Sequence, residues 1–263
     1  MLDTVASTTL VTLKGVRKVF SNGTVALAGL DIDVRRGEFL SLLGPSGCGK
    51  STALRLIAGL ADVSGGDIRW PDKQTAAGRS GSVGFVFQEP TLMPWATVLD
   101  NVHLPLKLKG VSLRDAEPRI RETLALVGLA DFGHAYPREL SGGMKMRVSI
   151  ARALVTEPTL LLMDEPFAAL DEITRFKLND DLLRLKEARG VTVVFVTHSV
   201  YESVYLSTRI VVMAARPGRV VADLPVAAPY PRDDAFRGTA LYHELCKTAS
   251  AALHGAMGAH DHL

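Results

Sequence analysis

The chain alternates between short apolar runs and longer stretches whose apolar residues recur at helical spacing. Leu30-Asp31-Ile32-Asp33-Val34 switches strictly between apolar and polar, which predicts a strand with one buried and one wet face. Leu13, Val16 and Val19 among Lys14, Arg17 and Lys18 form a looser version, closed by the turn residues Ser21-Asn22-Gly23. Residues 39–43, 83–87, 160–163 and 191–196 are short and almost wholly apolar, as expected of strands covered on both faces. Ser64-Gly65-Gly66-Asp67 reads as a turn into the short run Ile68-Arg69-Trp70, and the polar, glycine-rich residues 71–81 read as a surface loop.

Helical spacing fills most of the remainder. Residues 52–58 put Leu54, Ile57 and Ala58 on one face. From about 94 to 139 the chain changes character: Ser112-Leu113-Arg114-Asp115 resembles a capping box, and Ile120, Leu124 and Val127 recur before Gly128. A long helix is expected through Arg147, Ile150, Ala151 and Leu154, closed near Pro158. Residues 173–188 predict an amphipathic helix with Ile173, Phe176, Leu182 and Leu185 as its buried stripe and Gly190 just past its end. One further helix is expected over 236–253, carrying Leu241, Leu245 and Cys246, followed by a mobile tail over 254–262. Strands alternating with helices predict an α/β fold with a mostly parallel sheet, its strand ends converging on one edge where ligands bind.

Composition narrows the possibilities. The 263 residues can bury a full core, and charged residues make up 22% with a net charge of +2, which argues against a nucleic-acid partner. The start lacks a basic region followed by an apolar one, so no secretory signal is expected, and the longest apolar runs, such as residues 210–215, are too short to cross a bilayer. Two cysteines, Cys48 and Cys246, make no disulfide framework, which suits the cytosol.

The chemistry centres on Gly44-Pro45-Ser46-Gly47-Cys48-Gly49-Lys50-Ser51, which fits the phosphate-binding pattern G-x-x-x-x-G-K-[ST] between an expected strand and an expected helix. Such a loop turns successive backbone N–H groups inward, and the helix N-terminus adds partial positive charge. Lys50 would reach the outer phosphates and Ser51 would ligate Mg²⁺. Gln88, Asp164-Glu165 and His198 stand at the ends of three other expected strands. Asp164 suits the metal shell, and Glu165 suits a base that orients or deprotonates water, although paired carboxylates are also common at solvated strand ends. Cys48, placed in an anion nest, is expected to have a lowered thiol pKa, so that its alkylation blocks nucleotide binding at the loop.

With Leu140-Ser141-Gly142-Gly143-Met144, Met163-Asp164-Glu165-Pro166, Ala169-Leu170-Asp171 and Thr197-His198 in this order, the chain resembles the ATP-binding cassette (ABC) family of transport ATPases over residues 13–219. The resemblance implies a P-loop NTPase core with a mostly parallel sheet, an N-terminal antiparallel β subdomain and an inserted α-helical subdomain. It places the ATPase domain at 8–226 with helices inserted at about 94–157, and leaves 227–263 for a C-terminal helix and tail. ATP would be held between two copies of the chain. One copy would supply Gly44, Pro45, Ser46, Gly47, Cys48, Gly49, Lys50, Ser51 and Thr52, with Ser51, Gln88 and Asp164 at Mg²⁺. Glu165 would be the general base and His198 would hold the γ-phosphate. The other copy would supply Ser141, Gly142 and Gly143. Phe20 matches the position of an adenine-stacking aromatic, though a core phenylalanine fits equally well.

Met144 stands where the family usually has glutamine. Together with Gln88-Glu89-Pro90-Thr91-Leu92-Met93-Pro94-Trp95 and Asp164-Glu165-Pro166-Phe167-Ala168-Ala169-Leu170-Asp171, it resembles importers of nitrate, sulfonates, taurine and related anions. That group implies a detached ATPase on the cytoplasmic face of the membrane, working with separate transmembrane permease subunits and, indirectly, an extracytoplasmic solute-binding protein. Met93, Pro94 and Trp95 would form a socket for the permease, or Trp95 would simply join the core. Two other readings compete: a soluble cassette ATPase in translation or DNA repair, and a phosphotransferase, which leaves 140–144 unexplained.

Overall fold

The computed structural model describes residues 9–71 and 83–258. Along the chain run β1 (Thr9–Val19), β2 (Val25–Arg35), β3 (Phe39–Leu43), α1 (Lys50–Ile57), β4 (Gly65–Arg69), β5 (Val83–Val86), α2 (Val98–Leu108), α3 (Leu113–Leu126) and α4 (Gly142–Leu154). These are followed by β6 (Leu160–Asp164), α5 (Glu172–Arg189), β7 (Thr192–Thr197), α6 (Val200–Leu206), β8 (Arg209–Ala214), β9 (Arg219–Pro225), α7 (Asp234–Arg237) and α8 (Ala240–Gly258). The chain divides into two compact units, the first ending at Arg79 and resuming at Thr192, the second covering Ser80–Val191.

In the first unit β1 pairs antiparallel with β2 and β4, giving a three-stranded sheet in the order β2-β1-β4. The strict alternation at 30–34 appears as alternating burial along β2. β3 lies between β7 and β8, parallel to both, and β9 runs antiparallel beside β8. Every residue of β3, β7 and β8 is buried, which is why these segments carry apolar runs rather than alternation. Leu43 is in register with Thr197 on one side and Val212 on the other, so the loop after β3 and the residues after β7 leave neighbouring strand ends.

In the second unit β5 and β6 are parallel, with Val86 opposite Met163. Helices α2, α3 and α4 occupy the chain between them and bury Val102, Leu106, Ile120, Leu124, Met146 and Ile150. Each has its own N-cap: Thr97, Ser112 and Ser141 accept from the backbone N–H three residues on. Ser112 also donates its hydroxyl to the Asp115 carboxylate at 2.6 Å, a side-chain pair where a full capping box would have that carboxylate accept from the Ser112 backbone N–H.

Three expectations need correction. In α5, Leu182 and Leu185 are buried, but Ile173 is 83% exposed and Phe176 37%. The packed stripe is set by Leu178, Leu182 and Leu185; at 3.6 residues per turn Ile173 and Phe176 lie more than a third of a turn away from Leu178. The expected helix over 236–253 is two helices. α7 is capped by Asp233 and ends at Gly238, and Thr239 then accepts from the Tyr242 N–H at 3.2 Å as α8 begins. The tail is shorter than expected, because α8 runs on through His254 to Gly258 on alanines that favour the helix. Residues 259–262 and the loop at 72–81 lie outside the described residues. Among the described residues no helix is long and apolar enough to cross a membrane.

Candidate functional site

The loop between β3 and α1 is built on two left-handed glycines. Gly47 has φ 77° and Gly49 φ 92°, a region that L side chains rarely enter. Gly49 is the N-cap of α1 and supplies no side chain to its first turn. A Cβ on Gly49 would sit 2.9 Å from the Ala26 carbonyl and 2.7 Å from a Leu27 methyl. A Cβ on Gly44 would sit 2.5 Å from the Met213 carbonyl, and one on Gly218 would sit 2.3 Å from the Cys48 carbonyl. The loop is thus pressed from behind by β2, the end of β8 and Gly218, which itself donates to Ala26 O at 3.0 Å. The observed cradle is shaped for an anion: a tight backbone turn followed by a helix start with no capping side chain.

Lys50 is buried, at 4% exposure, and its ammonium donates to the carbonyls of Gly44 (2.8 Å) and Pro45 (2.9 Å). Cys48 corrects the sequence expectation: its thiol is wholly buried, and burial pushes its pKa up, opposed by the Lys50 charge 3.8 Å away. Desolvation of the thiolate outweighs the attraction of the nest.

Also in the first unit, His198 follows β7 and is exposed. Thr197 before it is buried and donates to the Glu202 carboxylate at 2.6 Å, and Ser199 after it gives its N–H to Thr197 Oγ1 at 3.0 Å. Phe20, just past β1, is 45% exposed with the Lys18 ammonium 5.7 Å from its ring centre, so it is not a core residue.

The second unit carries the remaining candidates. Gln88 is exposed two residues after β5, Asp164 is the buried last residue of β6, and Glu165 follows with φ 45°. A non-glycine residue at positive φ is held there by its surroundings, at a cost of order 1–3 kcal/mol. Ser141 caps α4, accepting from the Met144 N–H at 3.3 Å, and Gly142 and Gly143 open the helix. Gly143 is buried, with Thr174 Cγ2 2.7 Å from where its Cβ would be. Asp171 caps α5 and accepts from the Thr174 N–H at 3.0 Å, which draws its carboxyl below the usual range.

Within each unit, then, candidates distant in sequence leave adjacent parallel strands: the phosphate loop and His198 in one, Gln88 and Asp164-Glu165 in the other. Sequence reasoning missed Arg152 of α4, which donates to Pro90 O (2.8 Å), Thr91 O (2.8 Å) and Thr91 Oγ1 (2.9 Å) just after Gln88. It also missed Glu202 behind Thr197. The signal available was charge at positions that helical spacing turns inward.

A family model described as ABC transporter matches residues 27–168. The chain is 46% identical over 224 residues to the aliphatic sulfonates import ATP-binding protein SsuB 1 of Pseudomonas savastanoi pv. phaseolicola, covering 85% of this chain and 89% of that one. Among solved structures it is similar to cbiO1 from Clostridium perfringens, part of the ABC transporter complex cbiONQ, with a TM-score of 0.75 and 28% identity over 83% of this chain and 89% of that one. It is also similar to the dimeric ABC transporter cassette MJ0796, with a TM-score of 0.72 and 34% identity over 83% of this chain and 100% of that one; that cassette is also known after hydrolysis, bound to ADP and Pi.

Proposed function

The chain belongs to the ABC transporter family and is an ATPase, and we propose that it powers an importer for a small anionic solute of the nitrate, sulfonate or taurine kind. Its likeness to a sulfonate import protein supports the solute class, and the dimeric cassette and the cbiONQ complex support a second copy and a permease as partners. The protein would act at the cytoplasmic face of the membrane, with an extracytoplasmic solute-binding protein as an indirect partner.

The observation that carries the mechanism is the left-handed glycine cradle leading into an α1 start with no side-chain cap. There the β- and γ-phosphates of ATP would receive the backbone N–H groups of 47–52, and Lys50 would turn from its loop carbonyls to them. The oxygen donors Ser51, Gln88 and Asp164 fit Mg²⁺, which prefers oxygen ligands and takes few protein carboxylates. Mg²⁺ would neutralise charge on the phosphates. Glu165 would accept the proton of the attacking water, His198 would hold the γ-phosphate, and Phe20 would stack on the adenine. Ser141 and Gly143 of the second copy would close over the triphosphate from another helix start. The permease would dock on the Met93-Pro94-Trp95 segment, where Pro94 and Trp95 are exposed and Met93 half-buried; Thr91, two residues earlier, lines a cavity of about 540 Å³ with Phe87, Leu104, Leu108 and Arg152. Trp95 is 77% exposed, which supports a socket over a core role.

Glu165→Gln tests the reading. The variant is expected to bind MgATP, to lose about 10²–10⁴-fold in turnover, and to accumulate as a dimer in light scattering. Hydrolysis at the wild-type rate would remove Glu165 from the base role, and a strictly monomeric variant with MgATP and permease present would overturn the two-copy mechanism.

A further inference from the structure

The C-terminal segment carries a buried cation that the nucleotide reading leaves unused. Arg232 is 5% exposed, and every hydrogen-bond acceptor it meets is a backbone carbonyl. Its Nη1 lies 2.9 Å from each of Val204 O, Tyr205 O and Ser207 O, and Nη2 donates to Ala228 O at 2.8 Å. The guanidinium lies 4.4 Å from the ring centre of Tyr230 and 5.3 Å from that of Phe236. Tyr230 Oη donates to Leu206 O at 2.5 Å, and Tyr205 Oη donates to Arg232 O at 3.1 Å. The last carbonyls of α6 thus find their donors in the segment after β9.

A helix leaves its last four carbonyls without partners and favours a cation at that end. α6 has only seven residues, too few to be stable without such support. Its other end begins at Ser199, the residue after His198. Ser199 Oγ accepts from the Glu202 N–H at 3.3 Å, while Thr197 bonds both the Glu202 carboxylate and the Ser199 N–H. His198 therefore stands between two residues tied to the first turn of a two-turn helix.

We propose that Arg232 is a positioning residue for His198: by closing the C-terminal end of α6 it fixes the point from which the histidine acts. The segment after β9 is then part of the ATPase machinery. The inference rests on the γ-phosphate role given to His198 above.

Histidine-labelled NMR of the full chain without nucleotide, with His198 assigned through His198→Ala, tests the geometry. Arg232→Met is expected to shift or broaden the His198 ring signals while those of His103, buried on α2 against Val111 O, stay in place. Arg232→Lys, which keeps the charge and some donors, is expected to recover part of the change. In single-turnover hydrolysis Arg232→Met is expected to slow the chemical step about tenfold, with the KM for ATP within about twofold of wild type, because the phosphate loop keeps its own supports. The slowing should vanish when His198→Ala is already present.

Unmoved His198 signals, or the same fractional slowing in both backgrounds, would overturn the proposal. If His198→Ala alone hydrolyses at the wild-type rate, the γ-phosphate role fails, and the NMR signals still decide whether Arg232 places the histidine. If the Arg232 variants do not fold, Tyr230→Phe, which removes the hydroxyl that donates to Leu206 O at the same end of α6, goes through the same measurements with the same expected and overturning results.

Discussion

Two helices begin next to glycines and are read here as meeting the same triphosphate, yet their first turns are built in opposite ways. α1 follows Gly49, a left-handed residue with no side chain to offer, so no side chain of its N-cap closes the helix start. α4 follows Ser141 in extended conformation, and the serine already accepts from the Met144 N–H at 3.3 Å. A helix start meant to wrap a ligand gains from having no cap of its own. A helix start meant to meet a ligand brought by another copy has to be stable alone, and a serine cap provides that.

The largest effect that sharpens the contrast is expected from Gly49→Ala. A Cβ at φ 92° against the Ala26 carbonyl is strained by about 1–3 kcal/mol, so calorimetric ATP affinity should fall tenfold or more. Unchanged affinity would mean that the loop does not need its left-handed turn.

At Ser141 the two roles can be separated. Ser141→Ala should cost about 1 kcal/mol of stability in denaturant unfolding and Ser141→Gly only a few tenths. Ser141→Asp should keep the cap and hence the stability, while its carboxylate repels the triphosphate and suppresses the MgATP-dependent dimer of the Glu165→Gln protein. A stable dimer in that double variant would mean that the α4 start does not meet the triphosphate.

The smallest effect concerns Cys48. A buried thiol with a raised pKa carries little thiolate near neutral pH. Intact-mass spectrometry of the native protein with iodoacetamide at pH 7.5 should show Cys48 reacting at least about tenfold more slowly than a small free thiol. Rapid modification would restore the low-pKa reading of the nest.

Much of this was legible in the chain because local chemistry dictates it. The apolar runs marked the buried strands, since a strand covered on both faces has no wet side to record. Ser112 and Gly190 marked helix ends because a cap satisfies backbone groups within a few residues of itself. The errors came where burial depends on distant partners. Ile173 and Phe176 fit an apolar stripe, but which side of α5 is covered is decided by what packs on it. Cys48 looked activated because the loop's positive character is local, whereas its desolvation comes from the packing around it. Nothing in the residues around Arg232 marked it for burial, because the carbonyls it meets at 204, 205 and 207 lie far from it in sequence.

Residue order by itself determined the phosphate loop, the strand-end carboxylates, the serine and glycines that open α4 and the α/β alternation, because each is written in short-range patterns of neighbouring residues. Only the tertiary structure decided that Lys50 rests on loop carbonyls, that Cys48 is sealed from solvent, and that the end of α6 is closed by an arginine 25 residues beyond Ser207. Those outcomes turn on which groups lose water together, and water is lost to neighbours in space rather than in sequence.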